Sequence, residues 1–226
     1  LGLENGIVVL TKCDLADQEW ISLIKEDIRD SLKSTFLEES PIVEVSSKTG
    51  YGIDKLIQEI TCLAQKAVKE RDLNTISRLP IDRVFSIQGF GTVITGTLIT
   101  GILKKGDEVE IYPVNKISRI RNIQVHSSDA EKAYAGQRTA INLSNIKKTD
   151  IYRGCVIAPV NSMKNTMMLD VKLNLLKSSK RIVVNRSRLH FYTGTSEILT
   201  RVVLLDRDEL SPGESCYAQL RLEEEV

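Results

Sequence analysis

Thr11-Lys12-Cys13-Asp14 directly follows the apolar run Ile7-Val8-Val9-Leu10, and Ser46-Ser47-Lys48-Thr49-Gly50 directly follows a second run, Ile42-Val43-Glu44-Val45. The first run is short and does not alternate, the pattern of a parallel strand covered on both faces. From Asp17 the pattern turns helical, with Trp20, Ile21, Leu23, Ile24, Ile28 and Leu32 at helical spacing and acids between them. Pro41 opens the second strand. Ile53, Leu56, Ile57, Ile60, Leu63, Ala64, Ala67 and Val68 then form one apolar helical stripe. Strand, helix, strand and helix in that order predict α/β layers on a parallel sheet over residues 1–72.

The loops after the two strands carry groups that can read guanine. Guanine presents N1–H and N2–H₂ as donors on one edge, and a carboxylate such as Asp14 accepts both in a fork. Adenine has an acceptor at N1 and would face the carboxylate lone pairs. Charge-assisted hydrogen bonds contribute roughly 1.5–3 kcal/mol each, enough to select one purine over the other. The aliphatic stem of Lys12 can lie over the base while its ammonium stays wet. In the second loop the Ser47 N–H is placed to donate to guanine O6, Ser46 can brace the loop, and Thr49 and Gly50 begin a helix entry.

Thr-Lys-x-Asp alone also fits a surface turn. The pair of motifs, each after a strand and with a helix between, resembles the two guanine-reading loops of a GTPase. The resemblance implies a GTP/GDP site using Thr11, Lys12, Asp14, Ser46, Ser47 and Lys48. Thr11 stands where the family usually has Asn. No Gly-x-x-x-x-Gly-Lys-Ser/Thr run occurs, so nothing in these 226 residues cradles phosphates or seats Mg²⁺. The switch segments are also missing, and the 226 residues alone are predicted not to hydrolyse GTP.

Composition is that of an ordinary globular chain, 42% hydrophobic and 27% charged. No apolar run approaches the ~18 residues of a membrane span. The N-terminus has no basic region or small-residue cleavage site, so no signal peptide is expected. Leu1 stands where an initiator Met would be, which reads as a piece of a longer protein. Cys13, Cys62, Cys155 and Cys216 are widely spaced, and His126 and His190 are the two histidines. That spacing predicts neither a zinc site nor a small disulfide framework, and a reducing cytoplasm is the default. Residues 1–76 hold 9 Lys and Arg against 14 Asp and Glu, a net −5, and residues 77–226 hold 22 against 16, a net +6. The basic second part can face a polyanion, or simply scatter charge over its surface.

After Pro80 the period becomes two. Ile81, Val84, Phe85 and Ile87 lie in a strand-like run, Gly89-Phe90-Gly91 is a turn, and Thr92 to Leu98 returns. Lys104-Lys105-Gly106-Asp107 is a further turn. Short strands with glycine-bearing turns continue to the end and predict β-barrels over residues 78–161 and 163–226. Gly89-x-Gly91 is not a dinucleotide fingerprint, because the third glycine is Gly96 and the next segment is β-branched strand rather than helix.

Arg78-Leu79-Pro80-Ile81-Asp82-Arg83-Val84-Phe85, then Gly89-Phe90-Gly91-Thr92-Val93-Ile94-Thr95-Gly96-Thr97 and Gly101 to Asp107, resemble the second domain of translational GTPases. Ile81-Asp82-Arg83 with Ala135-Gly136-Gln137-Arg138 is similar to the bacterial selenocysteine-specific elongation factors. The resemblance spans nearly the whole chain, from inside the family's GTP-binding domain into its third domain. It implies a carrier of selenocysteinyl-tRNA to a ribosome paused at a recoded UGA. The mRNA insertion element would be read by a C-terminal winged-helix region not in this sequence.

By the same resemblance Asp82, Arg83 and Arg138 occupy the aminoacyl pocket. A selenol is more acidic than a thiol or hydroxyl, so guanidinium groups would favour the selenolate over neutral serine. Asp82 would hold the aminoacyl ammonium or fix an Arg. Neighbours on a strand point to opposite faces, so Asp82 and Arg83 can share a pocket only at a strand end or bulge. Otherwise one of them is a surface charge.

Further on, Arg186, Arg188, His190 and Tyr192 alternate with Leu189 and Phe191. They predict either a tRNA backbone contact or a solvated outer face over a buried one. Arg119 and Arg121 offer a weaker version. Two other readings stay open: another elongation factor Tu-like carrier, and a non-catalytic β-barrel module that binds tRNA without nucleotide.

Overall fold

The computed structural model describes residues 4–66 and 71–226. The chain divides into a first unit, Leu1–Glu70, and a second, Arg71–Val226.

In the first unit, β1 (Val8–Leu10) and β2 (Ile42–Glu44) pair in parallel, Val9 opposite Val43. Helix α1 (Gln18–Leu32) starts at Asp17, whose side chain accepts from the Trp20 N–H at 2.8 Å, a cap that satisfies one of the open donors of the first turn. Helix α2 spans Ile53–Lys66. Ala67 and Val68 of the predicted stripe lie outside the described residues. Ile21, Val43 and Val45 are the buried apolar side chains among the described residues of this unit, whereas Trp20, Leu23, Ile57 and Ile60 are exposed. The sequence pattern predicts more burial than the fold supplies. A sheet two strands wide offers each helix too narrow a surface to cover its whole apolar stripe.

The second unit opens with β3 (Leu79–Ile87), β4 (Gly91–Thr97), β5 (Ile102–Lys104), β6 (Glu108–Tyr112) and β7 (Lys116–Val125). It continues with β8 (Ser128–Ala130), β9 (Lys132–Tyr134), β10 (Arg138–Leu143) and β11 (Val156–Pro159). Strands pair in the order β10-β4-β3-β11-β6-β7, and β7 pairs back onto β10, closing a six-stranded barrel. Leu79, Ile81, Ile94, Leu98, Ile111, Ile123 and Ile141 fill it. Closure leaves the barrel without a free edge among its six strands.

A separate core gathers Val202, Leu204, Leu210, Ala218 and Leu220. It lies under the sheet ordered β12 (Met168–Asn174), β17 (Ser215–Leu222), β15 (Ser196–Leu204) and β14 (Arg188–Thr193). A small pair, β13 (Val183–Val184) with β16 (Glu209–Leu210), completes it.

One irregularity sets the geometry of the second candidate site. On β3, Ile81 faces Gly96 and Arg83 faces Thr95, so Asp82 is an extra residue with no partner across the ladder. This is a β-bulge, which kinks the strand and re-aims side chains. Gly96 permits it: a Cβ there would collide with the Pro80 carbonyl oxygen and stand 2.6 Å from Leu79. Gly96→Ala is therefore expected to cost about 1–3 kcal/mol or more, as overpacked core sites do. Thermal denaturation of the variant would check this, and an unchanged melting temperature would contradict it.

Candidate functional site

The two guanine-loop candidates leave the same end of the parallel β1–β2 pair. The backbone stitches them together: Val45 N–H donates to Leu10 O (2.8 Å) and Cys13 N–H to Val45 O (3.2 Å). Lys12 adopts a left-handed conformation (φ 59°) at the entry of a 3₁₀ turn, Cys13–Leu15. Ser46 is buried, and its Oγ donates to Asp14 Oδ1 at 2.6 Å while accepting from the Thr49 N–H at 3.3 Å. The Asp14 carboxylate is thereby oriented by the second loop. Thr11, Lys12, Asp14, Ser47 and Lys48 are all solvent-exposed around it. An exposed, pre-oriented carboxylate beside a lysine stem and a serine-rich turn fits the donor edge of guanine. Phosphate and Mg²⁺ partners are not supplied by this cluster.

The second cluster is built on the bulge. Arg138, the first residue of β10, donates Nη1–H to Asp82 Oδ2 (2.5 Å) and Nη2–H to Asp82 Oδ1 (3.1 Å). Thr95 on β4 lies between them and donates its Oγ1–H to Asp82 Oδ1 at 2.7 Å. The fork geometry fixes the guanidinium plane. Burial pushes the Asp82 carboxyl up, but hydrogen bonds from Arg138 and Thr95 and the charges of Arg138 and Arg83 outweigh it. The net position is below the ordinary aspartate range. The Asp82 hydrogen bond and charge hold Arg138 even more firmly protonated than usual. Arg83 is exposed, follows the bulge directly, and acts on Asp82 through its charge.

Arg138, Thr95, Gln124 and His126 line a cavity of about 240 Å³. Gln124 and Ala140 are shared with a neighbouring cavity of about 160 Å³, whose walls include Phe90, Val93 and Asn142. Asn142 is buried; its Nδ2–H donates to Phe90 O at 2.7 Å, while its Oδ1 has no partner. Gln124 and His126 are not legible as site residues in the sequence, because only barrel closure of β7 onto β10 brings them beside Arg138, and Asn142, on β10 with Arg138, reads there only as a polar break in an apolar strand.

The third candidate cluster departs in part from the alternation read in the sequence. β14 begins at Arg188, and Arg186 lies before it in a left-handed turn (φ 66°) rather than on the strand face. Arg188 is held by Glu223 in a two-point pair (2.8 and 2.6 Å). The Tyr192 hydroxyl donates to Glu197 Oε1 at 2.9 Å, and His190 Nδ1 lies 2.8 Å from the same oxygen. Register adds what the sequence hid. Arg188 stands opposite Arg201, and Arg201 opposite Arg221, a row of three exposed arginines across β14, β15 and β17. Like charges directly opposite are unfavourable, so the row suits a surface that meets an anion.

The closed six-stranded barrel is of the translation-factor type, and residues 91–158 match the family "Elongation factor Tu domain 2". More narrowly, nearly the whole chain is homologous to selenocysteine-specific elongation factors. It is 41% identical to the one from Desulfomicrobium baculatum over 98% of this chain and 35% of that protein. It is 31% identical to that of Methanocaldococcus jannaschii over 97% of this chain and 50% of the relative. A crystal structure of a bacterial selenocysteine-specific elongation factor superposes with a TM-score of 0.83 at 30% identity, covering 100% of this chain and 36% of that one. The Methanococcus maripaludis factor in complex with the GTP analogue GPPNHP gives 0.78 at 29% identity, covering 97% and 52%. The chain thus spans between about a third and a half of the relatives it matches.

The lowered Asp82 pKa carries a sign. A carboxyl whose folded pKa lies below its unfolded value contributes stability at neutral pH, and that contribution is lost as pH falls through the lowered value. A carboxyl-detected NMR titration is expected to place Asp82 below an ordinary aspartate, and to return it upward in Arg138→Ala. An Asp82 titration unchanged by Arg138→Ala would contradict the clamp.

Proposed function

We propose that this chain is the part of a GTP-dependent elongation factor that holds the aminoacyl end of selenocysteinyl-tRNA for delivery to the ribosome at recoded UGA codons. The observation that carries the reading is the bulge-built clamp, Asp82 with Arg138, presenting a fixed guanidinium to a cavity sized for a small side chain. An anionic selenolate gains a charge-assisted partner there, whereas a neutral seryl hydroxyl does not. Arg83 adds a second positive charge at the same bulge. Asn142 Oδ1, buried and unpartnered in the adjoining cavity, leaves room for a donor on the same ligand.

In this reading residues 1–72 close a GTP-binding domain, with Thr11, Lys12, Asp14, Ser46, Ser47 and Lys48 around the guanine of GTP or GDP. Phosphate binding, Mg²⁺ and hydrolysis belong to parts of the protein outside these residues. Residues 78–161 form the aminoacyl-binding barrel, and residues 163–226 belong to a third domain. Arg186, Arg188 and His190, together with Arg201 and Arg221, follow the tRNA backbone, whose affinity would then fall with salt. Recognition of the mRNA element lies outside this chain. The place of work is the cytoplasm, where ribosomes and reduced thiols are found. Among the described residues no helix is long and apolar enough to cross a membrane.

The test is Arg138→Ala in a protein with a complete GTP-binding domain. Protection of the aminoacyl ester from hydrolysis would be compared for selenocysteinyl- and seryl-tRNA. The preference for selenocysteine is expected to fall at least about tenfold, on the scale that a lost specific polar contact produces. Unchanged discrimination would overturn the assignment.

A further inference from the structure

The clamp rests on β3, which the turn between β14 and β15 touches. The Ile81 carbonyl, immediately before the bulge, accepts two hydrogen bonds. One comes from the Gly154 N–H at 3.1 Å, within the first barrel, and the other from the Thr195 hydroxyl at 2.6 Å. Ile81 N–H in turn donates to Cys155 O at 2.8 Å. Thr195 belongs to the turn between β14 and β15, in the four-stranded sheet. The approach is tight. A Cβ on Gly194 would stand 3.1 Å from Pro80, and one on Gly154, already at φ +111°, would stand 3.2 Å from Ser196.

We propose that Thr195 is a positioning residue for the aminoacyl clamp, and that the β14–β15 hairpin couples the two tRNA-facing surfaces. The inference rests on the selenocysteinyl-tRNA reading above. One end of the hairpin is Arg188, in the arginine row. The other end braces Ile81, one residue from Asp82. A bulge residue has no ladder partner of its own, so its placement depends on the anchoring of its neighbours. Removing the Thr195 bond leaves the Ile81 carbonyl satisfied by Gly154, so the barrel is expected to fold while the bulge loosens. Loosening at Asp82 turns the Arg138 guanidinium, because that carboxylate is its two-point partner.

Two variants test the proposal. Thr195→Val keeps the volume and loses the donor, and Thr195→Ser restores the donor. In the protein with its complete GTP-binding domain, Thr195→Val is expected to lower selenocysteine-over-serine discrimination by about threefold to tenfold. Seryl-tRNA affinity should stay unchanged and Thr195→Ser should retain discrimination. In the 226-residue chain, Thr195→Val should speed exchange of the Arg138 guanidinium protons by a similar factor, read by NMR, without a matching drop in melting temperature. Unchanged discrimination and exchange in Thr195→Val, with discrimination lost in Arg138→Ala, would overturn the positioning role alone. Unchanged discrimination in both variants would overturn the reading it rests on.

Discussion

One extra residue in a strand sets the geometry of the Asp82–Arg138 pair. Had β3 run in regular register, Asp82 and Arg83 would point to opposite faces of the barrel. The bulge lifts Asp82 out of the ladder, beside Thr95 and in reach of Arg138 on β10. A guanidinium at the start of a strand has many rotamers in solvent. Held by two hydrogen bonds to one carboxylate it has few, and an anion that binds it does not have to order it first. Gly96 is the complement of the bulge, because the kinked strand passes so close that a methyl group cannot be accommodated.

The two candidate guanine loops obey a different constraint. Parallel strands send their outgoing loops to the same end of the sheet, so two segments distant in sequence meet there without any barrel. Ser46 converts that proximity into orientation by donating to Asp14. The helices beside this sheet remain under-covered, with Trp20, Leu23, Ile57 and Ile60 facing solvent. Their stripes report a helix correctly but overstate its burial, because periodicity is local and the width of the sheet is not.

Much is legible in the sequence where the signal is local. Strand, helix and hairpin order can be read from Leu10, Asp17 and Gly89 to Gly91, and two charged neighbours on one strand pose the choice between a strand end or bulge and a plain surface charge. The hidden features depend on pairings across long separations. Arg201 and Arg221 are ordinary surface charges singly and form a row with Arg188 only through the register of β14, β15 and β17. Thr195 meets Ile81 across 114 positions of sequence. Asn142 reads as a polar break in Ile141-Asn142-Leu143 until the pairing of β10 with β4 places it against Phe90. Alternation carries Arg186 onto the strand face, where the fold does not put it, because alternation in sequence does not mark where a left-handed turn ends.

In the function proposed above, a fixed guanidinium would read the charge of the selenolate. The measurement that addresses it is the pH dependence of binding for selenocysteinyl- and seryl-tRNA, in parallel, to the protein with its complete GTP-binding domain. Affinity for selenocysteinyl-tRNA should fall as pH drops through the selenol pKa, while seryl-tRNA affinity stays flat over the same range. Two profiles that run parallel throughout would show that the clamp does not distinguish the anion, and the mechanism would fail.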